Sequence, residues 1–428
     1  MRQAGNSVSR ALDALNFFLA DVRDGLGPYL AIYLLTEQQW DQASIGVVMS
    51  VAALAGILAQ TPAGALIDAS TAKRALMVAA AVVVTAACLA LPLLRRFELV
   101  AATQALAAAA GAIFPPAIAA VTLGTFGPKA FARRIGRNEA FNHAGNATAA
   151  AIAGVTAYFF GPIVVFWLLA AMATASVAAT LAIPAAAIDH HVARGLDHTT
   201  EGHAYHGDRK RDAGDKPSGF QVLLTCKPLL IFAAATVLFH FSNAAMLPLV
   251  GQKLALVNRE IGTTLMSVCI VAAQLVMVPV AMLVGRKADL WGRKPIFAVA
   301  LAVLALRGAL YPLSDNPYWL VSVQLLDGVG AGIFGALFPL VVADLTRGTG
   351  HFNVSQGAIA TAAGLGGALS AGVAGFIVVG AGYSAAFLFL AAVAAIGLIG
   401  FCAMMPETLP ANRDSPDPAA SVVTSSAA

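Results

Sequence analysis

Residues 348–406 read GTGHFNVSQGAIATAAGLGGALSAGVAGFIVVGAGYSAAFLFLAAVAAIGLIGFCAMMP and contain no Asp, Glu, Lys or Arg. One helical crossing of a hydrocarbon core about 30 Å thick takes about 20 apolar residues. This stretch is more than twice that length and breaks near its middle at Gly380-Ala381-Gly382. It therefore reads as two membrane spans in a hairpin with almost no loop. Segment 140–188 is a second charge-free run of the same kind, broken at Gly161-Pro162. Shorter charge-free runs lie at 42–67, 75–94, 99–128, 228–252 and 261–285, each long enough for one span. Segments 11–35, 294–314 and 317–345 are apolar with internal charges.

Together these predict twelve spans, at roughly 11–35, 42–67, 73–94, 98–125, 139–160, 162–188, 222–251, 259–285, 294–314, 317–345, 351–379 and 382–405. The whole chain of 428 residues agrees, with 59% hydrophobic and 11% charged residues and a mean hydropathy of +0.78. Soluble domains carry about 25% charged residues. A soluble enzyme, a disordered chain and a nucleic-acid binder are excluded. The runs are too long, and lack the period-two alternation, for a strand barrel. The first apolar stretch is too long for a secretory signal and carries acids without a cleavage site, so it reads as a first span. Cys88, Cys226, Cys269 and Cys402 lie far apart with no CxxC, so neither a disulfide framework nor a thiolate metal site is indicated.

Orientation follows from Lys and Arg in the loops. Of the 26 basic residues, 20 fall in one set of connections and 4 in the other. Arg23 and Arg307 lie inside spans. The split predicts both termini in the cytoplasm and a multi-pass protein of the bacterial inner membrane. Segment 189–220 is polar, mixed in charge and rich in Gly and His. It reads as a cytoplasmic linker without a core of its own. The chain then divides into a six-span half (1–188), the linker (189–220), a second six-span half (221–405) and a disordered cytoplasmic tail (406–428).

The halves repeat. Gly64-Ala-Leu-Ile-Asp68 matches Gly285-Arg-Lys-Ala-Asp289 at an offset of 221. Gln104 with Ile113-Phe114 matches Gln324 with Ile333-Phe334 at an offset of 220, and Phe141-Asn142 matches Phe352-Asn353 at 211. Two parallel repeats are a transporter architecture, with the substrate near the midplane between them.

Gly285-Arg-Lys-Ala-Asp289-Leu-Trp-Gly292-Arg293-Lys294 resembles the loop signature G-x-x-x-D-[RK]-x-G-[RK]-[RK] of the major facilitator superfamily, with Leu290 at the first basic position. In the first half Gly64 and Asp68 keep the start, and Lys73-Arg74 restore the charge. The resemblance covers roughly 1–405. It implies a twelve-helix transporter, monomeric and without cofactor. It is nearest to drug and metabolite exporters that exchange their cargo for protons. The antiporter pattern G-x-x-x-G-P-x-x-G-G does not occur on span five, where Gly145 and Gly154 stand without a Gly-Pro centre.

The loop carries a physical reading of its own. Asp289 ends one span beside Arg293 and Lys294 at the start of the next. A carboxylate there can accept from helix N-terminal amides and pair with the basic residues, latching the cytoplasmic side. Alternatively these charges only anchor the loop. Asn142 and Asn353 are expected to assist this gate.

Charges inside the spans cost about 2.5–3.5 kcal/mol on insertion scales and are usually paired or functional. Asp21 and Asp24 share a helical face about halfway through span one, with Arg23 beside them. One Arg cannot neutralise two acids, so one of them is the expected proton carrier. The alternative is a fixed ion-pair knot. Gly25, Gly27 and Pro28 follow and predict a bend. Arg307 and Asp327 form either a structural pair within the second half or an anion site released by protonation. Neutral polar residues that could line a substrate cavity are Asn146, His143, His240, Asn243, Gln274, Gln104 and Gln324, although an intramembrane His or Asn more often bonds across helices.

The linker holds His190, His191, His198, His203 and His206, irregularly spaced and without Cys. A solvated linker explains them, and weak metal capture is the alternative. No nucleophile–base set, HExxH or G-x-x-x-x-G-K-[ST] motif appears in the chain, so neither an embedded enzyme nor direct ATP drive is indicated. The function expected is a proton-coupled secondary transporter moving a small molecule by alternating access, most simply as an exporter. The alternatives are export of a divalent metal or metal-chelating anion, and organic-anion symport with protons.

Overall fold

The computed structural model describes residues 2–24, 30, 33–34, 37–40, 42–160, 163–196, 226–257 and 262–409. Among these the regular structure is helical throughout. The long helices are α1 (Arg2–Asp24), α2 (Gln42–Ala69), α3 (Lys73–Ala90), α4 (Phe97–Gly111), α5 (Phe114–Phe160) and α6 (Val164–Ala182). They are followed by α7 (Lys227–Ala244), α8 (Met246–Val257), α9 (Gly262–Trp291), α10 (Arg293–Leu310), α11 (Pro317–Leu345) and α12 (Phe352–Met404). An apolar chain in lipid must satisfy every backbone polar group within its own segment, and the helix does so.

Two helices are long enough to cross twice. α5 and α12 run for 47 and 53 residues, and each contains one glycine outside helical geometry. Gly127 has φ 70° and ψ 170°, and Gly382 has φ 85° and ψ 172°. Only a residue without Cβ takes this conformation freely, so the chain reverses there without a loop. The Gly380–Gly382 break is where the charge-free run predicted it. The break at 161–162 lies outside the described residues, between the end of α5 and the start of α6. The first helix starts nine residues before the expected span, at Arg2.

Among the described residues nine helical stretches are long and apolar enough to cross a membrane. Their outward faces are apolar too: Phe159, Phe160, Phe376, Val379 and Ile399 are all exposed. A soluble monomer rarely presents a continuous apolar belt, whereas lipid accepts one.

The packing is a repeat. α2 packs on α4 and α3 on both α4 and α6, while α9 packs on α11 and α10 on both α11 and α12. α1 lies against α5 and α6, and α7 lies against α12. Two hydrophobic cores result, one from residues 8–193 and one mainly from 229–405. Across the seam, α2 meets α12 and α5 meets α9.

Small residues draw the seam tight, as they do between membrane helices. A Cβ on Gly136 would lie 2.5 Å from the Ala281 carbonyl oxygen, and one on Gly64 would collide with the Asn353 carbonyl. Gly357 stands in the same way over the Gln60 carbonyl. Gly136 and Gly357, like Gly64 and Gly285, are 221 positions apart. So are Phe131 and Phe352, whose rings meet edge-to-face at 5.9 Å. The repeat therefore runs at 221 through these limbs, not at the 211 read from Phe141-Asn142. Ala132, not Asn142, occupies the position equivalent to Asn353.

The linker reading changes for its first residues. Asp189 N–H donates to the Gly124 carbonyl, and the Asp189 carboxylate accepts from the His191 and Val192 amides. Val192 and Ala193 are buried. Gly195, at φ 82°, accepts from Gly348 N–H at 2.7 Å. Residues 189–196 thus form a folded turn wedged against both halves. The polar composition hid two small apolar residues that suffice to dock it.

Candidate functional site: a central cavity and its closed end

Between the halves lies a cavity of about 770 Å³. Its wall draws on α1 to α5 from the first half and α7, α9, α11 and α12 from the second. Most of the wall is apolar, including Met49, Met277, Phe334 and Phe338. The polar groups are few and specific. α5 supplies Glu139, Asn142, His143 and Asn146, which fall on one face over two helical turns. Gln104 and Gln60 face them from the first half, and His240, Gln274 and Gln356 from the second.

His143 and Gln274 join the halves inside the cavity. Their Nδ1 and Oε1 atoms are 2.7 Å apart. The amide oxygen can only accept, so the imidazole donates from Nδ1 and its Nε2 is left over. Among the described residues that buried Nε2 has no hydrogen-bond partner. The Gln60 Oε1 and Gln104 Nε2 atoms are likewise buried without one. Thr61 and Thr361 bridge α2 and α12 with their hydroxyls 3.0 Å apart. His240 is tied to its own helix through the Thr236 carbonyl at 3.0 Å and sits edge-on to Phe334.

Glu139 escaped the sequence reading. As the last charge before the charge-free run 140–188, it reads in the sequence as the boundary of a span. In the fold it lies one turn before His143 and lines the cavity. Its carboxylate accepts weakly from Asn142 at 3.4 Å and lies against Gly335 of α11, where a Cβ would sit 3.3 Å from Oε2. The reasoning that could have found it is helix continuation: the second limb of α5 starts eleven residues earlier than Glu139, at Pro128 beyond the Gly127 break.

The other candidates fall elsewhere. Arg307 is 1% exposed and pairs with Asp327 outside the cavity wall. Asp327 also accepts from Gln324 Nε2 at 3.1 Å, and Gln324 in turn accepts from the Tyr311 hydroxyl. Arg307 Nε points at the Met246 sulfur at 3.3 Å. This network joins α8, α10 and α11, and Arg307 Nη2 is buried without a hydrogen-bond partner among the described residues. Asn243 is also outside the wall. The side chains of Asp21, Arg23 and Asp24 lie outside the described residues; their backbone forms the last turn of α1. His198, His203 and His206 are outside them as well, and among the described residues no three His, Cys, Asp or Glu side chains come together as a metal site.

One end of the cavity is closed by the loop motif. Asp68, at the end of α2, accepts from the backbone amides of Asn353 and Val354 at 3.3 and 2.8 Å. It also accepts from Asn353 Nδ2 at 2.8 Å. A carboxylate thus caps the first turn of α12 across the seam, where amides and helix dipole favour negative charge. Asn353 Nδ2 also reaches the Ala193 carbonyl of the folded linker turn at 3.1 Å. Lys73 donates to the Ile67 and Ser70 carbonyls at 2.9 and 2.7 Å, fixing the short connection between α2 and α3.

The second copy of the motif is wired differently. Asp289 pairs with Arg293 at 2.8 Å, and Arg293 Nε donates to Asp344 at 2.9 Å. The N-terminus of α10 is capped not by Asp289 but by Glu407, which accepts from the Arg293 and Lys294 amides at 2.8 and 3.1 Å. Gly292 makes room for it: φ is 85°, and a Cβ would lie 2.5 Å from Glu407 Oε2. The residues just after Pro406, expected to be without structure, are docked by this contact. Beside the seam, Asp13 accepts from Arg134 and Arg137, each at 2.6 Å. Both arginines nearest Glu139 in sequence are thereby occupied.

The sequence profile of the Major Facilitator Superfamily matches residues 12–346 and 229–426. An uncharacterized MFS-type transporter of Mycobacterium tuberculosis, in strains CDC 1551 and H37Rv, is 63% identical over 402 residues, covering 94% of each chain. Among solved structures the fold is similar to that of FucP in its outward conformation, with a TM-score of 0.66 at 14% identity over 92% of this chain and 98% of FucP. It is also similar to the human organic anion transporter MFSD10, with 0.65 at 14% over 94% and 99%, and to the nucleoside transporter NupG, with 0.60 at 16% over 93% and 100%. The chain belongs to the Major Facilitator Superfamily of membrane transporters.

Proposed function

We propose that this protein is a proton-coupled secondary transporter that moves a small molecule across the inner membrane by alternating access. The observation that carries this reading is the cavity itself. It lies between two similarly packed halves, its wall is built from both, and its closed end is a seam of glycine contacts and one capped helix. Parting that seam while the opposite ends approach would expose the same wall to the other side.

Eleven crossings come from the nine apolar stretches when 97–153 and 352–404 each count twice. With α1 the proposed topology has twelve, both termini in the cytoplasm and the Asp68 seam on the cytoplasmic side. The structure then represents the outward-facing state. The cytoplasmic seam is built from a hydrogen-bonded latch, while the cavity wall is mainly apolar, with one acid and several amides among the described residues. That favours export of an apolar metabolite or drug against inward proton flow. Proton carriers are sought among Asp21, Asp24 and Glu139.

The test is reconstitution of the full chain in liposomes loaded with a pH dye. An imposed proton gradient should drive solute accumulation, and solute addition should move protons. Loss of both in Glu139→Gln, Asp21→Asn or Asp24→Asn would name the carrier. Solute flux indifferent to the gradient would overturn proton coupling.

A further inference from the structure

We infer that the cavity is a site for a lipophilic organic cation, whose charge is held by Glu139 beside the Phe334 and Phe338 rings. This rests on the transport reading above and names its substrate class.

Three observations converge. Glu139 is the acid that the described residues place in the cavity wall, and among those residues no Lys or Arg stands there with it. Its nearest arginines on α5, Arg134 and Arg137, are held by Asp13. Among the described residues Glu139's polar company within the wall is neutral, including Asn142 and Gln356, with His143 and His240 as the titratable neighbours. A carboxylate in so apolar a chamber is costly without a counter-charge.

Opposite it, α11 presents Gly335 flanked by Phe334 and Phe338 on the same wall. These two rings stack with centroids 5.4 Å apart. Phe334 stacks in turn on Phe239 at 4.9 Å, so the aromatic wall is rigid. Aromatic rings attract a cation through their quadrupole, most strongly when it is desolvated. Gly335 lets the carboxylate lie against the aromatic helix, since any side chain there would crowd Oε2.

One acid has one vacancy for positive charge. Either a proton bonds to the Glu139 carboxyl oxygen, or the carboxylate faces an organic cation. Binding of the cation to the protonated site therefore releases that proton to water. An anion of the same shape meets the carboxylate without any basic group in the described wall.

The test uses tetraphenylphosphonium and its isosteric anion tetraphenylborate, bound to the detergent-purified full chain by calorimetry in weak buffer. The cation should bind at least tenfold more tightly than the anion and release protons on binding. Glu139→Gln should weaken the cation at least tenfold and abolish the release, while Glu139→Asp keeps both in part. Phe334→Leu should weaken the cation and leave the release per bound cation unchanged. Equal affinity for the two ions in wild type, or an unchanged Glu139→Gln, overturns the assignment. The wild-type comparison holds even if Glu139→Gln does not fold. Proton-driven flux of a neutral or anionic solute without cation binding would overturn the substrate class and leave the transport reading standing. Cation binding lost in Glu139→Gln, with no flux of any solute, would do the reverse.

Discussion

Asp68 and Asn353 are 285 positions apart, yet the Asp68 carboxylate accepts both the backbone and the side-chain amide of Asn353. The contact ties the last turn of α2 to the first turn of α12. Its partner Val354 N–H, at 2.8 Å, completes a cap that belongs to the other half of the molecule. A cap made within one half would survive any rocking of the halves. This one must break when they part.

Asp68→Asn removes the charge that the α12 amides face. Each hydrogen bond to a charged group contributes about 1.5–3 kcal/mol. Losing even one shifts the balance between closed and open seams by roughly tenfold to a hundredfold. A cysteine pair at Thr61 and Thr361 reports the closed state, and its cross-linking yield should fall sharply in the Asp68→Asn background. Unchanged cross-linking would mean that the cap does not hold the seam.

The glycines of the seam make a second, steric prediction. Gly64→Ala places a methyl group into the Asn353 backbone, whereas a Cβ at Gly372 meets nothing within 4 Å. Gly64→Ala should abolish transport and raise cysteine labelling from the Asp68 side, while Gly372→Ala leaves both at wild-type levels. Equal behaviour of the two would show that close helix approach at the seam is dispensable.

His143 and Gln274 share one hydrogen bond across the halves. A neutral bond of this kind contributes about 1 kcal/mol net, roughly a fivefold effect. His143→Ala and Gln274→Ala should each lower flux by about that factor. The double variant should fall no further than the worse single, because the same bond cannot be lost twice. Additive losses would separate the two residues functionally.

Glu407 titrates outside the membrane. Burial pushes its carboxyl up, but the amides of Leu409, Arg293, Lys294 and Thr408 together hold it below the ordinary glutamate value. A group depressed in the folded state stabilises the fold above its unfolded value and loses that contribution as pH falls through its folded value. Wild type should therefore lose melting temperature on acidification below the ordinary glutamate range, and Glu407→Gln should show a shallower loss there. Parallel curves for the two proteins would remove Glu407 from the packing of α10.

Much was legible in the chain before folding. The absence of charge over 348–406 gave the hairpin and its break, because only a helix can carry bare backbone through lipid. Gly64, Asp68, Gly285 and Asp289 were legible as a repeat because turns and caps demand those residue types at fixed spacing. The register of the remaining repeat was not, since Phe-Asn recurs at 141 and 352 while the glycine contacts at 136 and 357 set an offset of 221, which matches Phe131 to Phe352. Asp289 reads like Asp68 in sequence, yet its helix N-terminus is capped by Glu407.

Composition and charge spacing alone determined that this chain builds apolar helices in two repeating sets, because solvation of the backbone depends on local sequence. Which polar groups meet was decided by tertiary structure. Glu139 looked like a boundary charge, and Arg307 and Asp327 read equally as a structural pair or as an anion site; their placement follows from helix rotation, on which uniformly apolar sequence has no hold. The rotation is set where backbones touch, at Gly136 on Gly285 and Gly64 on Asn353. Those contacts turn the Glu139 face of α5 into the cavity and leave Arg307 sealed inside its own half.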